Sequence, residues 1–181
     1  MAATSSANES TASPVPSQTS NTLGTSRLPH PQQFICTVGI TLEKCRKEMS
    51  VLRRLLTNYP ASELGEWKWV LVPSDYWRLF LVGRGFNSGV PALTALDART
   101  TFFEEALIAG PSGRISELMD TWHADRNGLL DLAIRHELGH ALCGEENERQ
   151  ADRVARLLEN KEPVSCKGTR RQSKGSIVTL H

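Results

Sequence analysis

A chain of 181 residues with 39% hydrophobic residues can bury one core of ordinary size, so one domain is expected. A formal net charge of +1 supplies no basic excess of the kind that nucleic-acid binding requires, and no nucleic-acid partner is expected. The sequence shows neither a signal-peptide pattern nor an apolar run of the ~18 residues needed to cross a bilayer, which predicts a cytoplasmic protein with no membrane span.

In chain order, residues 1–33 are dominated by Ser, Thr, Ala, Asn and Pro. Such a stretch buries too little apolar surface to offset its ordering entropy, so it reads as a disordered tail. From Thr41 the period becomes helical: Leu42, Cys45, Met49, Leu52, Leu55 and Leu56 recur at three- and four-residue steps, and Asn58 and Pro60 mark the stop. Residues 66–103 read as strands and turns, with strands over Trp67–Val72, Leu79–Val82, Ala92–Leu96 and Thr100–Phe103. The glycines between them lack the spacing of a dinucleotide fingerprint, and Trp67, Trp69, Tyr76 and Trp77 read as packing residues.

Residues 104–122 read as helical turns broken at Gly110-Pro111. A strong helix follows over residues 129–143, started by Asn127-Gly128 and stopped by Gly144, and another over 146–159. The end of the chain, residues 162–181, reads as a flexible basic tail, leaving 34–161 as the folded domain. Strands followed by helices predict an α+β class. Cys36, Cys45, Cys143 and Cys166 form no Cys-x-x-Cys pair, and free thiols are expected.

The chemistry concentrates at His136-Glu137-Leu138-Gly139-His140. Histidines four apart on a helix project from nearly one side, so both imidazoles can reach one ion. Glu137 points about a quarter turn away, beside the ion, where a carboxylate can take a proton from the water that the metal activates. Leu130, Ile134, Leu138 and Leu142 make this helix apolar over much of its circumference, so it should be buried, and two buried imidazoles need a shared partner. A plausible third ligand is Glu148 on the following helix, four residues before Asp152. A short glycine turn makes the two helices antiparallel and can bring Glu148 back to the histidines, with Asp152 holding the far ring nitrogen of His136. Three protein ligands and a free position make a catalytic type of zinc site, with one Zn2+ per chain.

His136-Glu137-x-x-His140 followed by Asn147-Glu148-x-x-Ala151-Asp152 resembles the paired motifs of the gluzincin metallopeptidases. The resemblance covers residues 128–158. It implies His136, His140 and Glu148 as zinc ligands, Glu137 as general base and acid, and Asp152 as the orienting carboxylate. It also implies a zincin-like fold, in which a small mixed or antiparallel sheet packs on a buried active-site helix and takes the substrate backbone along an edge strand. Only seven residues separate His140 from Glu148, fewer than the better-known members have, so Glu145 and Glu146 stay open as third ligands. The expected function is hydrolysis of peptide bonds in a peptide or protein substrate. The alternative is a regulatory or interaction protein whose zinc site is inactive or structural. His123 and Tyr76 are candidate oxyanion donors.

Overall fold

A computed structural model of the chain describes residues 32–86, 89–110 and 112–166 and the strand Ile177–Thr179. The expected disordered tail, but for Gln32 and Gln33, lies outside the described residues. The class is α+β: one small mixed sheet with helices on both faces. Its strands are β1 (Gln33–Cys36), β2 (Lys68–Val72), β3 (Ala92–Ala95), β4 (Thr100–Glu104) and β5 (Ile177–Thr179). They lie in the order β1-β2-β4-β3-β5. β1, β2 and β4 are parallel, whereas β3 runs antiparallel to both β4 and β5. β5 falls inside the stretch read as a flexible tail.

The helices are α1 (Leu42–Leu56), α2 (Ser74–Val82), α3 (Ala106–Ala109), α4 (Gly113–Thr121), α5 (Arg126–Cys143) and α6 (Glu148–Glu159). Leu79–Val82, expected as a strand, is the end of α2. Aromatic and aliphatic content suggested a strand there, but Trp77 and Leu81 are four apart and are the buried pair, which is helical spacing.

Strand alternation sorts the core into two faces. Trp69 and Leu71 of β2 and Phe103 of β4 pack with Met49, Leu52 and Leu56 of α1 and with Leu129, Ile134 and Leu138 of α5. Val70 and Val72, one residue out of phase, pack with Trp77 and Leu81 of α2 and with Leu93 of β3. Trp67, Trp69 and Trp77 are buried, in line with a packing role, while Tyr76 is exposed.

The expectation of free thiols is corrected: Cys36 is bonded to Cys45 and Cys143 to Cys166. No sequence spacing announces either bond. The first forms because the turn after β1 folds the chain back so that the first turn of α1 faces the strand end. The second forms because the chain leaving α6 returns to the last residue of α5. No helix among the described residues is long and apolar enough to cross a membrane.

Candidate metal centre

α5 begins at Arg126, three residues earlier than the sequence suggested, and is capped by Asp125, whose carboxylate accepts a hydrogen bond from the Gly128 amide at 2.7 Å. It ends at Gly144, which takes the left-handed conformation at φ 61°. Asn147 then caps α6, accepting from the Gln150 amide at 3.3 Å, so Glu148 becomes the first residue of that helix. The three-residue link between Gly144 and Glu148 is therefore a C-cap joined to an N-cap, and it suffices to turn the chain back.

What lets α6 come close is Gly139. A Cβ at that position would stand 2.6 Å from the Ala151 carbonyl oxygen and 2.8 Å from the Ala151 Cα. The backbones of the two helices thus meet at a glycine–alanine crossing, with Val154, Ala155 and Leu158 of α6 buried. Arg135 pins the far end of α6: its guanidinium pairs with Glu159 at 2.9 Å and with Asp131 at 3.0 Å, and donates to the Ala155 carbonyl at 3.4 Å.

The side chains that converge are His136, His140 and Glu148. His136 Nε2 lies 3.0 Å from Glu148 Oε2 and 3.1 Å from His140 Nε2, and His140 Nε2 lies 3.6 Å from the same carboxylate oxygen. Among the described residues this trio forms the group able to hold a metal ion. The other ring nitrogens are committed. His140 Nδ1 donates to the Glu145 carbonyl at 2.8 Å, since a carbonyl can only accept, and His136 Nδ1 lies 3.0 Å from Asp152 Oδ1. With a neutral ring in each case, both Nε2 atoms present lone pairs to one another and to a carboxylate. Three lone-pair donors facing each other repel unless a proton or a metal ion sits among them.

Both histidines are buried, whereas the Glu148 side chain is 27% exposed and that of Asp152 53%, so the centre opens towards solvent along α6. A cleft of about 390 Å³ lined by Trp122, Leu132, His136, Glu148, Asp152 and Arg156 among others lies there. Where a proton rather than a metal fills that space, burial works to raise the Glu148 carboxyl, but hydrogen bonds from His136 and His140 win and hold it down to about 2. For His140, burial favours the neutral ring, while the Glu148 and Glu137 carboxylates outweigh it and raise the pKa.

Glu137 is 1% exposed, and its carboxylate makes no well-formed hydrogen bond among the described residues, the Thr94 hydroxyl offering it a weak one. Burial raises its pKa above the ordinary carboxylate range, against the opposing pull of the two histidines. A buried carboxylate so poorly satisfied is costly to the fold. Its backbone is held by a thread of hydroxyls across the sheet. Trp67 Nε1 donates to Thr101 Oγ1 at 3.1 Å, Thr101 and Thr94 share a bond of 2.9 Å, and Thr94 Oγ1 reaches the Glu137 carbonyl at 3.5 Å.

Of the competing ligands, Glu145 contributes its backbone carbonyl and Glu146 is exposed; neither carboxylate joins the trio. His123 is exposed, and Tyr76 lies on α2 near the Gly39 turn. Neither is brought to the centre by any described contact. Gly139, Thr94 and the Glu145 carbonyl were not singled out from the sequence. A glycine inside an otherwise apolar helix was the one available signal, since it costs helix stability unless a close approach needs it.

Comparison with protein-family models, curated proteins and solved structures returned no match. The functional reading therefore rests on this geometry and the motif.

Proposed function

We propose that the protein is a zinc-dependent peptidase of zincin-like architecture, with His136, His140 and Glu148 holding one Zn2+ and Glu137 as general base and acid. The observation that carries the proposal is the triangle of converging ligand atoms. Three ligands of a tetrahedral zinc at ~2.0–2.1 Å lie about 3.3 Å apart. The three separations here are 3.0, 3.1 and 3.6 Å. The bonds to Asp152 and to the Glu145 carbonyl support the same reading, because they fix each ring in the tautomer that offers Nε2.

When bound, zinc supplies Lewis acidity, which acidifies an attacking water and stabilises negative charge on the substrate carbonyl oxygen. The residues of the chain do the rest. Glu137, buried and only weakly hydrogen-bonded, accepts the proton of the attacking water and passes it to the leaving amine nitrogen, so that no charged group is left stranded. Its raised pKa suits both roles, since a carboxyl less acidic than usual takes up the proton more willingly and holds it until the amine leaves. Asp152 and the Glu145 carbonyl orient the rings, and β3, held against α5 at Glu137, supplies the strand beside which an extended substrate lies.

Two disulfides support work in oxidising surroundings.

The test compares cleavage of an unstructured protein by the zinc-loaded chain and by Glu137→Gln at matched zinc content. Loss of at least about a hundredfold in rate is expected, in the range assigned to general acid–base catalysis. Zinc-loaded protein that cleaves nothing, or equal rates for the two chains, would favour the regulatory alternative.

A further inference from the structure

β3 carries pairings on both sides. One side bonds to β4; on the other, Leu93 stands opposite Thr179, Thr94 opposite Val178 and Ala95 opposite Ile177. β3 is also the strand that reaches the active-site helix, because the Thr94 hydroxyl meets the Glu137 carbonyl. An extended chain therefore lies along the outer side of the strand that touches α5 at Glu137. Main-chain groups on such an edge take up any extended backbone with little regard to sequence. The backbone that occupies it, in the antiparallel sense, belongs to the chain itself.

That segment is also tethered. Cys166 is bonded to Cys143, the last residue of α5. Ten residues, 167–176, separate the anchor from β5. A tether of this length holds its end at an effective concentration in the millimolar range, which a dilute competitor must match. The occupant is nonetheless short. Three residues of ladder, with no further strand beyond them among the described residues, sit at the low end of local stability and open readily.

We propose that Ile177–Thr179 is an internal occupant of the peptide-binding edge of β3, so that an extended peptide pairs there only by displacing it. Its identity as a brake on catalysis rests on the peptidase reading; its occupancy of the edge does not.

The test uses the full chain carrying Ile177→Pro, Val178→Pro and Thr179→Pro together, which removes every amide donor of β5 whatever its phase in the ladder. The probe is a fluorescent peptide with the sequence of residues 172–181, measured by polarisation in a Glu137→Gln background so that it is not cut. The proline chain should bind it at least about tenfold more tightly than the unaltered tail does. Hydrogen exchange should quicken at Leu93–Ala95 and stay unchanged in α5, which separates release of the edge from misfolding. Equal binding by the two chains, or no binding by either, overturns the proposal.

With Glu137 intact, the proline chain should cleave an unstructured protein with kcat/KM raised about tenfold, mainly through KM. Discriminating binding with equal cleavage rates would overturn the brake. Discriminating binding with no cleavage by either chain would sink the peptidase reading and leave the edge occupancy standing.

Discussion

Gly139→Ala tests the claim that the centre is assembled by a backbone crossing. The added Cβ would lie 2.6 Å from the Ala151 carbonyl oxygen, 2.8 Å from its Cα and 3.0 Å from its carbonyl carbon. Ordinary contact begins near 3.5 Å, so α6 must withdraw by about 0.7–0.9 Å, because these atoms are backbone and have no rotamer to yield. Overpacking of this kind costs about 1–3 kcal/mol, against a gain of about 1 kcal/mol for alanine over glycine in a helix. A net loss of up to about 2 kcal/mol in denaturant unfolding of the metal-free protein follows. The larger effect falls on zinc. Glu148 and Asp152 both ride on α6, and metal–ligand distances tolerate only about 0.2 Å. Zinc affinity, read by competition with a chelator, should fall by about tenfold to a hundredfold or more. A variant about 1 kcal/mol more stable than the parent, with unchanged zinc affinity, would show helix propensity alone at work and refute the crossing argument.

Asp152→Ala should weaken zinc about ten- to a hundredfold in the same competition while leaving metal-free stability nearly intact; unchanged affinity would deny the bond to His136 its orienting role. Glu48 has its carboxyl pushed up to about 7 by burial and by the neighbouring Glu105 carboxylate. The folded state then holds a proton that the unfolded chain has lost between about pH 4.5 and 7, so stability drains as pH rises through that window and the ionised group costs at most about 3 kcal/mol above it. Glu48→Gln should accordingly be the more stable chain at pH 8 and nearly equal to the parent at pH 4.5, by urea unfolding; a variant less stable at pH 8 would contradict this. Cys143→Ser with Cys166→Ser should lower stability by about 3 kcal/mol, from the chain entropy released when the 23-residue separation is no longer closed. Identical unfolding curves with and without reductant would deny both bonds.

The chemistry of the centre was readable because it lies in local spacing. His136 and His140 share a face by helical period alone, and Glu137 is displaced from it by one residue's rotation. Bringing Glu148 and Asp152 to them needed one more inference, that a glycine turn reverses the chain, and the caps at Gly144 and Asn147 supply that reversal. The strands over Lys68–Val72, Ala92–Ala95 and Thr100–Glu104 were legible for the same reason, each being short and rich in β-branched or aromatic residues bounded by turns. What escaped depends on contacts distant in sequence. α2 looked like a strand because its exposed Leu79 and Val82 hide the helical pairing of Trp77 with Leu81. Neither disulfide could be paired from spacing, since each is decided by where two elements end in space. β5 escaped because a three-residue strand among small polar residues carries no periodic signal of its own and exists only by pairing with β3.

The central claim is an open zinc site made by three residues. Anomalous diffraction at the zinc edge from crystals of the zinc-loaded chain tests it most directly. One peak is predicted, within about 2.0–2.2 Å of His136 Nε2, His140 Nε2 and a Glu148 carboxylate oxygen, with a fourth position held by solvent. No peak at this place would contradict the account, as would a fourth protein side chain closing the site.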